Sequence, residues 1–183
     1  AGQETVRHFF RAGGSSGTIA KAMSAYDKDF SDAVYGIEED GRYVTESRLK
    51  KMLSHEVSLI EKRLSRDKHP NKMFFSYANT VATIDFAKQF KGHGWVGISF
   101  QIEPDEAYNE IILHIRFKET DSRLQQETLG ILGVNLIYGA YYKYNDPKKL
   151  LRYLYDHLDK DQLEIDTINS SGPRFTDVPN RFI

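Results

Sequence analysis

The chain contains no cysteine among its 183 residues. That excludes thiol catalysis, cysteine-ligated zinc and iron–sulfur clusters, fits a reducing compartment, and leaves stability to packing alone. A surplus of either charge is missing too: 25 lysines and arginines stand against 26 aspartates and glutamates, for a net charge of −1. No basic field therefore marks the chain for nucleic acid or for an anionic membrane surface. The opening residues AGQETVRHFF lack a signal-peptide hydrophobic region and an initiator methionine, and the closing VPNRFI carries neither a helix stop nor a polar tail. The reading is a piece of a longer cytoplasmic protein, with residues 1–183 forming one domain. A chain of this length buries roughly 70% of the surface its unfolded form exposes.

Only one long apolar-rich stretch occurs, Leu124–Tyr142 (LQQETLGILGVNLIYGAYY). From Gly130 onward it has no charged residue, as expected of a helix buried all round. On a helical wheel Gly130, Gly133 and Ala140 form one narrow stripe, and Thr128, Asn135 and Gly139 form another. Each interior glycine costs roughly 1 kcal/mol against alanine, so these stripes predict two neighbours packed close to the helix backbone. Ser122 with Gln125 reads as a capping box at its start, and Asn145-Asp146-Pro147 as its end. Gln125, Gln126, Glu127 and Asn135 argue for a core helix rather than a membrane span.

Around it the expected frame is α+β: a mainly antiparallel sheet packed on the long central helix, with two flanking helices. Thr45 caps a helix running to Leu64, and Asp146 with Pro147 opens another that runs to Leu158. Strands are expected at Met73–Ile84, with an interruption near Asn79, and at Trp95–Ile102, Ile111–Phe117 and Leu163–Asn169. The second and third alternate cleanly, Val96, Ile98, Phe100 and Ile102 facing one way and Ile111, Leu113, Ile115 and Phe117 likewise, and should form a hairpin whose apolar face meets the central helix.

Two places carry candidate site residues. The hairpin's second face presents Gln101, His114 and Arg116, flanked by Trp95: donors of two kinds beside an aromatic, suited to a small anionic or nucleotide ligand. A half-exposed sheet face carries such residues ordinarily, so a wet surface is the competing reading. The run Gly13, Gly14, Ser15, Ser16, Gly17, Thr18, with Lys21 after it, can aim backbone amides at an anion. It matches neither the phosphate-loop nor the dinucleotide pattern, and a mobile linker between the terminus and the first helix is the favoured reading. His55-Glu56 lacks the second histidine of a zinc-protease helix, and the carboxylates of 26–32 match no calcium loop, so no metal ligand set is expected. No cofactor is indicated. Six tyrosines between Tyr138 and Tyr155 point to a polar-edged core or to an assembly surface, with a homo-oligomer as one outcome.

The phrases SAYDKDFSDAVYG, RYVTESRLKKMLSHE, FFSYANTVAT, HGWVGISFQ, LHIRF, LQQETLGILGVNLIYGAYY and INSSGPRF together resemble the N-terminal part of a bacterial protein family with considerably longer members. The likeness spans nearly the whole chain, and the central-helix phrase is its most specific element. Members are often labelled nicotinate-nucleotide adenylyltransferase and sometimes TonB-dependent receptor. The second label implies a membrane barrel, whose repeated short amphipathic strands are missing here. The first implies a Gly-x-x-x-x-(His/Thr)-x-Gly-His motif and a later Ile-Ser-Ser-Thr run ending in arginine. Lys91-Gly92-His93-Gly94 lacks the paired spacing, and Ile168-Asn169-Ser170-Ser171-Gly172-Pro173-Arg174 is one residue short, with a proline intervening. The resemblance therefore implies an accessory or substrate-binding N-terminal domain, with any nucleotidyl transfer carried downstream of Ile183. Two rivals stand beside it: an enzyme using Gln101, His114 and Arg116 on an anionic substrate, and an interaction or oligomerisation module without catalysis.

Overall fold

The computed structural model describes residues 2–176 and the backbone of 181 and 182. Its elements are α1 (Gln3–Ala12), α2 (Lys28–Tyr35), α3 (Glu46–Arg63), β1 (Phe75–Ala82), β2 (His93–Phe100), β3 (Asn109–Phe117), α4 (Ser122–Tyr142), α5 (Pro147–Leu154) and β4 (Leu163–Ser171), with a two-residue β5 (Arg181–Phe182). The fold is α+β. The strands form one antiparallel sheet in the order β1-β2-β3-β4-β5, and α4 and α5 carry the chain from β3 back to β4. The interruption expected near Asn79 is replaced by continuous pairing of β1 with β2.

The alternation in the two hairpin strands settles one face. Val96, Ile98 and Phe100 of β2 and Ile111, Leu113, Ile115 and Phe117 of β3 are buried against Leu129, Leu132 and Leu136 of α4. Each such side chain contributes about 1.5–3 kcal/mol on full burial, so this layer is the main store of stability. The second face, expected to be open, is half covered. Leu49, Met52 and Leu53 of α3 pack on Ala78 and Ile112, and Gly97 lets α3 approach so closely that a Cβ there would meet Leu49 Cδ2 at 2.9 Å. Helices thus flank the sheet on both sides, and on the α3 side Arg116 of β3 and Glu164 of β4, which pair with each other, stay exposed.

Helix α4 departs from expectation in two respects. Its N-cap is Asp121, whose carboxylate accepts the Leu124 N–H at 3.0 Å, rather than Ser122. Gln125 instead points inward, accepting from Ile84 N at 2.8 Å and donating to the carbonyls of Lys91 and Glu119. Nor is the helix buried all round: Tyr138 and Tyr142 are 45% and 67% exposed, and their rings stack at 4.5 Å along the outer flank. The two small-residue stripes do find their neighbours. Gly130 and Gly133 admit α1, with Glu4 O 2.8 Å and Thr5 Oγ1 2.0 Å from where a Cβ would sit, while Gly139 admits Leu150 of α5. Asn135 closes that second contact by donating to the carbonyls of Leu154 and Asp156.

The tyrosines of this region divide. Tyr141, Tyr144 and Tyr155 pack on the core, whereas Tyr138, Tyr142 and Tyr153 form the outward stack. Helix α5 stops at Leu154, one turn short of the expected Leu158, because Tyr155 turns the chain towards β4. On the α3 side Arg48 is fully buried. It donates to Gly36 O at 2.6 Å, Ser31 Oγ at 2.8 Å and Glu38 Oε1 at 3.1 Å, and so clamps α2 and the loop after it onto α3.

Candidate functional site

Two candidate sites emerge, and neither coincides fully with the groups read from the sequence. The first lies at the accessible end of the sheet's second face. Cross-strand register sets Arg116 opposite His93 and His114 opposite Trp95, all four side chains on one face. Opposite them, β4 carries a bulge: His114 pairs with Thr167 and Ile115 with Ile165, which leaves Asp166 as the extra residue. A bulge puts two consecutive side chains on the same side of a strand and re-aims one of them. Here it turns Asp166 onto the face of His114 and Arg116, while Ile165 and Ile168 both stay inward.

The result is a hydrogen-bonded chain across three strands. His93 Nδ1 lies 2.9 Å from His114 Nε2, His114 Nδ1 lies 2.7 Å from Asp166 Oδ1, and Arg116 Nε donates to Asp166 Oδ2 at 2.8 Å. Thr167 Oγ1 also donates to Asp166 Oδ1 at 3.1 Å. Burial alone would push the Asp166 carboxyl up. Hydrogen bonds from Arg116 and His114 outweigh that and hold it below the ordinary aspartate value, so it is a carboxylate at neutral pH. Burial, then the charges of His114 and Arg116, lowers His93 below the ordinary histidine value. Trp95 contacts the His114 ring at 4.7 Å and Phe90 meets His93 edge-on at 5.9 Å, which fixes both ring planes.

Trp95, His114 and Arg116 are thus brought together as expected from their spacing, but Gln101 is not. It lies beyond the far end of β2, buried, with every polar atom engaged. Its Oε1 accepts from Phe74 N and Arg66, and its Nε2 donates to the carbonyls of Pro104 and Glu106. It holds the β2–β3 connection in shape. His93 and Asp166 were not among the residues singled out. Parity was the available signal for the first, since His93 shares a face with Trp95. The second had a fainter signal, the three-residue step from Ile165 to Ile168 where strict alternation requires two.

The second site is a cavity of about 670 Å³ beside the free edge of β1. Its walls are Thr5, Val6 and Phe9 of α1, Met52 and Ile60 of α3, Phe75 and Tyr77 of β1, and the segment from Ser16 to Met23 that crosses it. The glycine–serine run sits here, though not as an anion loop. Gly13 and Gly14 take positive φ and break α1, Ser15–Gly17 forms a single 3-10 turn, and the amides of Thr18 and Ile19 both donate to Ser15 O. Two of the amides that would face an anion are therefore spent internally. Lys21 is committed as well, its Nζ 2.7 Å from Glu56 Oε2, while Tyr35 donates to Glu56 Oε1 at 2.9 Å. Burial, then the Glu56 charge, raises the Tyr35 phenol well above its ordinary value, so it stays a donor. At the mouth, Arg63 and Lys72 are exposed and form no ion pair among the described residues.

Among the described residues no group of three or more metal-ligating side chains converges, and no helix is long and apolar enough to cross a membrane. No family model, curated protein or solved structure matches the chain.

Proposed function

We propose that this chain is a substrate-binding domain that takes a small anion with an apolar or planar body into the cavity beside β1. The observation that carries the reading is the cavity itself. Its volume lies within the range of small-molecule sites, its floor is apolar, and two uncompensated cations stand at its mouth. An apolar floor favours the ligand's body by burial, and the cations select a carboxylate or phosphate at the open end. On the resemblance to proteins labelled nicotinate-nucleotide adenylyltransferase, the domain serves as an N-terminal accessory of a longer cytoplasmic bacterial enzyme, and nicotinate mononucleotide is the first ligand to try.

A titration of the isotope-labelled chain with nicotinate mononucleotide tests this. Amide and methyl shifts should concentrate on Val6, Ile60, Met52 and Phe75, and Arg63→Gln with Lys72→Gln should weaken binding severalfold. Saturable shifts confined to His93 and Arg116, or none at millimolar ligand, would overturn the assignment.

The outward stack of Tyr138, Tyr142 and Tyr153 supports a second reading, a self-association surface, because aromatic side chains are enriched at such contacts. Sedimentation of the native chain and of a Tyr138→Lys/Tyr142→Lys variant decides it. A concentration-dependent dimer lost in the variant is the expected result, and a monomer in both removes the reading.

A further inference from the structure

The chain of groups on the sheet face shares no residue with the cavity, and its chemistry is of a different kind. Its direction follows from the ionised end. Asp166 accepts, so His114 Nδ1 must carry the proton it donates. In the tautomer that leaves His114 Nε2 as the acceptor of the 2.9 Å contact, the proton of His93 sits on Nδ1. His93 Nε2 is then left with a lone pair that no described residue hydrogen-bonds. This is the order in which a carboxylate and a second imidazole set the tautomer of a terminal base.

What lies beside that lone pair is equally specific. Arg116 is the direct cross-strand neighbour of His93, and only its Nε is engaged by Asp166, so the two terminal nitrogens of an exposed guanidinium remain for a ligand. Directly opposed side chains on one face have Cβ atoms about 4.5–5.5 Å apart. The guanidinium turns its Nε to Asp166 on the β4 side, yet its charge still acts on His93, so an anionic group held by Arg116 comes within reach of that ring. The groups facing His93 are His114 and Arg116 from β3, Asp166 from β4 and Phe90 from the preceding loop.

We propose that His93 is the general base of a hydrolytic site for anionic esters, with Arg116 binding the anion and with His114 and Asp166 as positioning residues. Water gives one proton to His93 Nε2 as its oxygen bonds to the ester carbonyl carbon. The carbon–oxygen bond to the alcohol then breaks, and the proton returns from Nε2 to the leaving oxygen. Atoms and electrons balance without a cofactor. The imidazolium formed in between keeps donating its Nδ1–H to His114 Nε2, and His114 keeps its own Nδ1 proton, donated to the Asp166 carboxylate.

Two measurements test this on the native chain. Long-range nitrogen–proton correlation spectra at pH 7.5 should show His114 and His93 each protonated at Nδ1, with His93 Nε2 bare; a proton on His93 Nε2 would overturn the proposal. The second uses mono-4-nitrophenyl succinate as the anionic ester and 4-nitrophenyl acetate as the uncharged one. His93→Gln should lower turnover of the succinate ester about tenfold or more, in keeping with the usual contribution of a general base. Arg116→Gln should raise KM for the succinate ester alone. In Asp166→Asn the amide donates to His114 Nδ1, which reverses both tautomers and places a proton on His93 Nε2. Turnover should fall with KM unchanged, and the spectra should show the reversal. Equal turnover in native protein and His93→Gln, or loss in Asp166→Asn without tautomer reversal, would refute the mechanism. If His93→Gln does not fold, the tautomer of the native protein decides alone.

Discussion

Replacement of Gly133 by alanine isolates the contact on which both the core and the cavity depend. An alanine Cβ at this position would stand 2.0 Å from Thr5 Oγ1, 2.6 Å from the Tyr77 hydroxyl and 2.8 Å from Thr5 Cγ2. Carbon contacts prefer about 3.5–4.0 Å, so α1 has to retreat by more than an ångström. Helix propensity returns up to about 1 kcal/mol, but overpacking of this kind costs about 1–3 kcal/mol. The retreat also strips packing from Val6 and breaks the 3.3 Å and 3.4 Å hydrogen bonds of Thr5 to Tyr77 and to Gly130 O.

The expected balance is a loss of about 1–2 kcal/mol, read as a fall in Tm of roughly 2–8 °C for a domain of this size. Thr5→Ala removes two of the three clashing atoms, so Thr5→Ala/Gly133→Ala should melt above Gly133→Ala alone, with a favourable coupling of about 0.5–3 kcal/mol. Calorimetry on the four proteins closes the cycle. A Gly133→Ala chain that melts at or above the native temperature, or strictly additive effects, would show that α1 does not pack where the structure has it. Because Thr5, Val6 and Phe9 line the cavity, the same substitution should also weaken ligand uptake there.

Three further outcomes are expected. His93 has a lowered pKa in the folded state, so the unfolded chain takes up its proton first as pH falls below the ordinary value of 6.5. Stability from this group is complete above 6.5 and lost downward through the folded pKa, and urea midpoints at pH 7.5 and pH 5 should converge in His93→Gln relative to native. Arg48→Met should cost about 3 kcal/mol, the low end for breaking a buried pair, because Lys51 still neutralises Glu38 at 2.9 Å; denaturant unfolding measures it. This chain should release no pyrophosphate from ATP and nicotinate mononucleotide with magnesium, since Arg174 is held by Glu106 at 3.0 Å and the expected histidine motif is missing. A signal dependent on both substrates and lost in Arg174→Ala would reverse that.

How far residues predicted structure depended on whether neighbours along the chain or across it set their positions. The hairpin alternation and the two stripes of α4 are period signals, and they located the main core and both close helix contacts. What fills a stripe is a tertiary matter: the neighbour at Gly133 is a pair of side chains, and the backbone neighbour lies at Gly130. The cover over the second sheet face was legible in part. Ile111-Ile112-Leu113 is an unbroken apolar run, which requires burial on both faces, and Gly97 and Ala78 are the small residues beside it that admit α3. Gln101 was misleading because parity assigns a face but not a depth along the strand. Its chain leaves the sheet after Phe100, and the loop from Glu103 to Glu106 closes over it.

The bulge in β4 shows why the site on the sheet was the hardest part to read. Strict alternation from Leu163 would place Ile165 inward and Ile168 outward, exposing an isoleucine and leaving the core short of a side chain. Burying both costs one unpaired residue, and that residue is an aspartate. Had it been apolar, the bulge would have exposed it for no return. As a carboxylate it gains two charge-assisted or imidazole hydrogen bonds at 2.7 and 2.8 Å, each worth more than an ordinary neutral one. Packing on one face and hydrogen bonding on the other therefore favour the same irregularity. It follows that Ile168→Thr, which relieves the demand for inward burial, should let β4 slip towards regular pairing and draw Asp166 away from His114. The bond between His114 Nδ1 and Asp166 is then the reporter: a downfield Nδ1 proton in the native spectrum should weaken or vanish in the variant. If that proton persists unchanged, the bulge is held by Asp166 itself and not by the core.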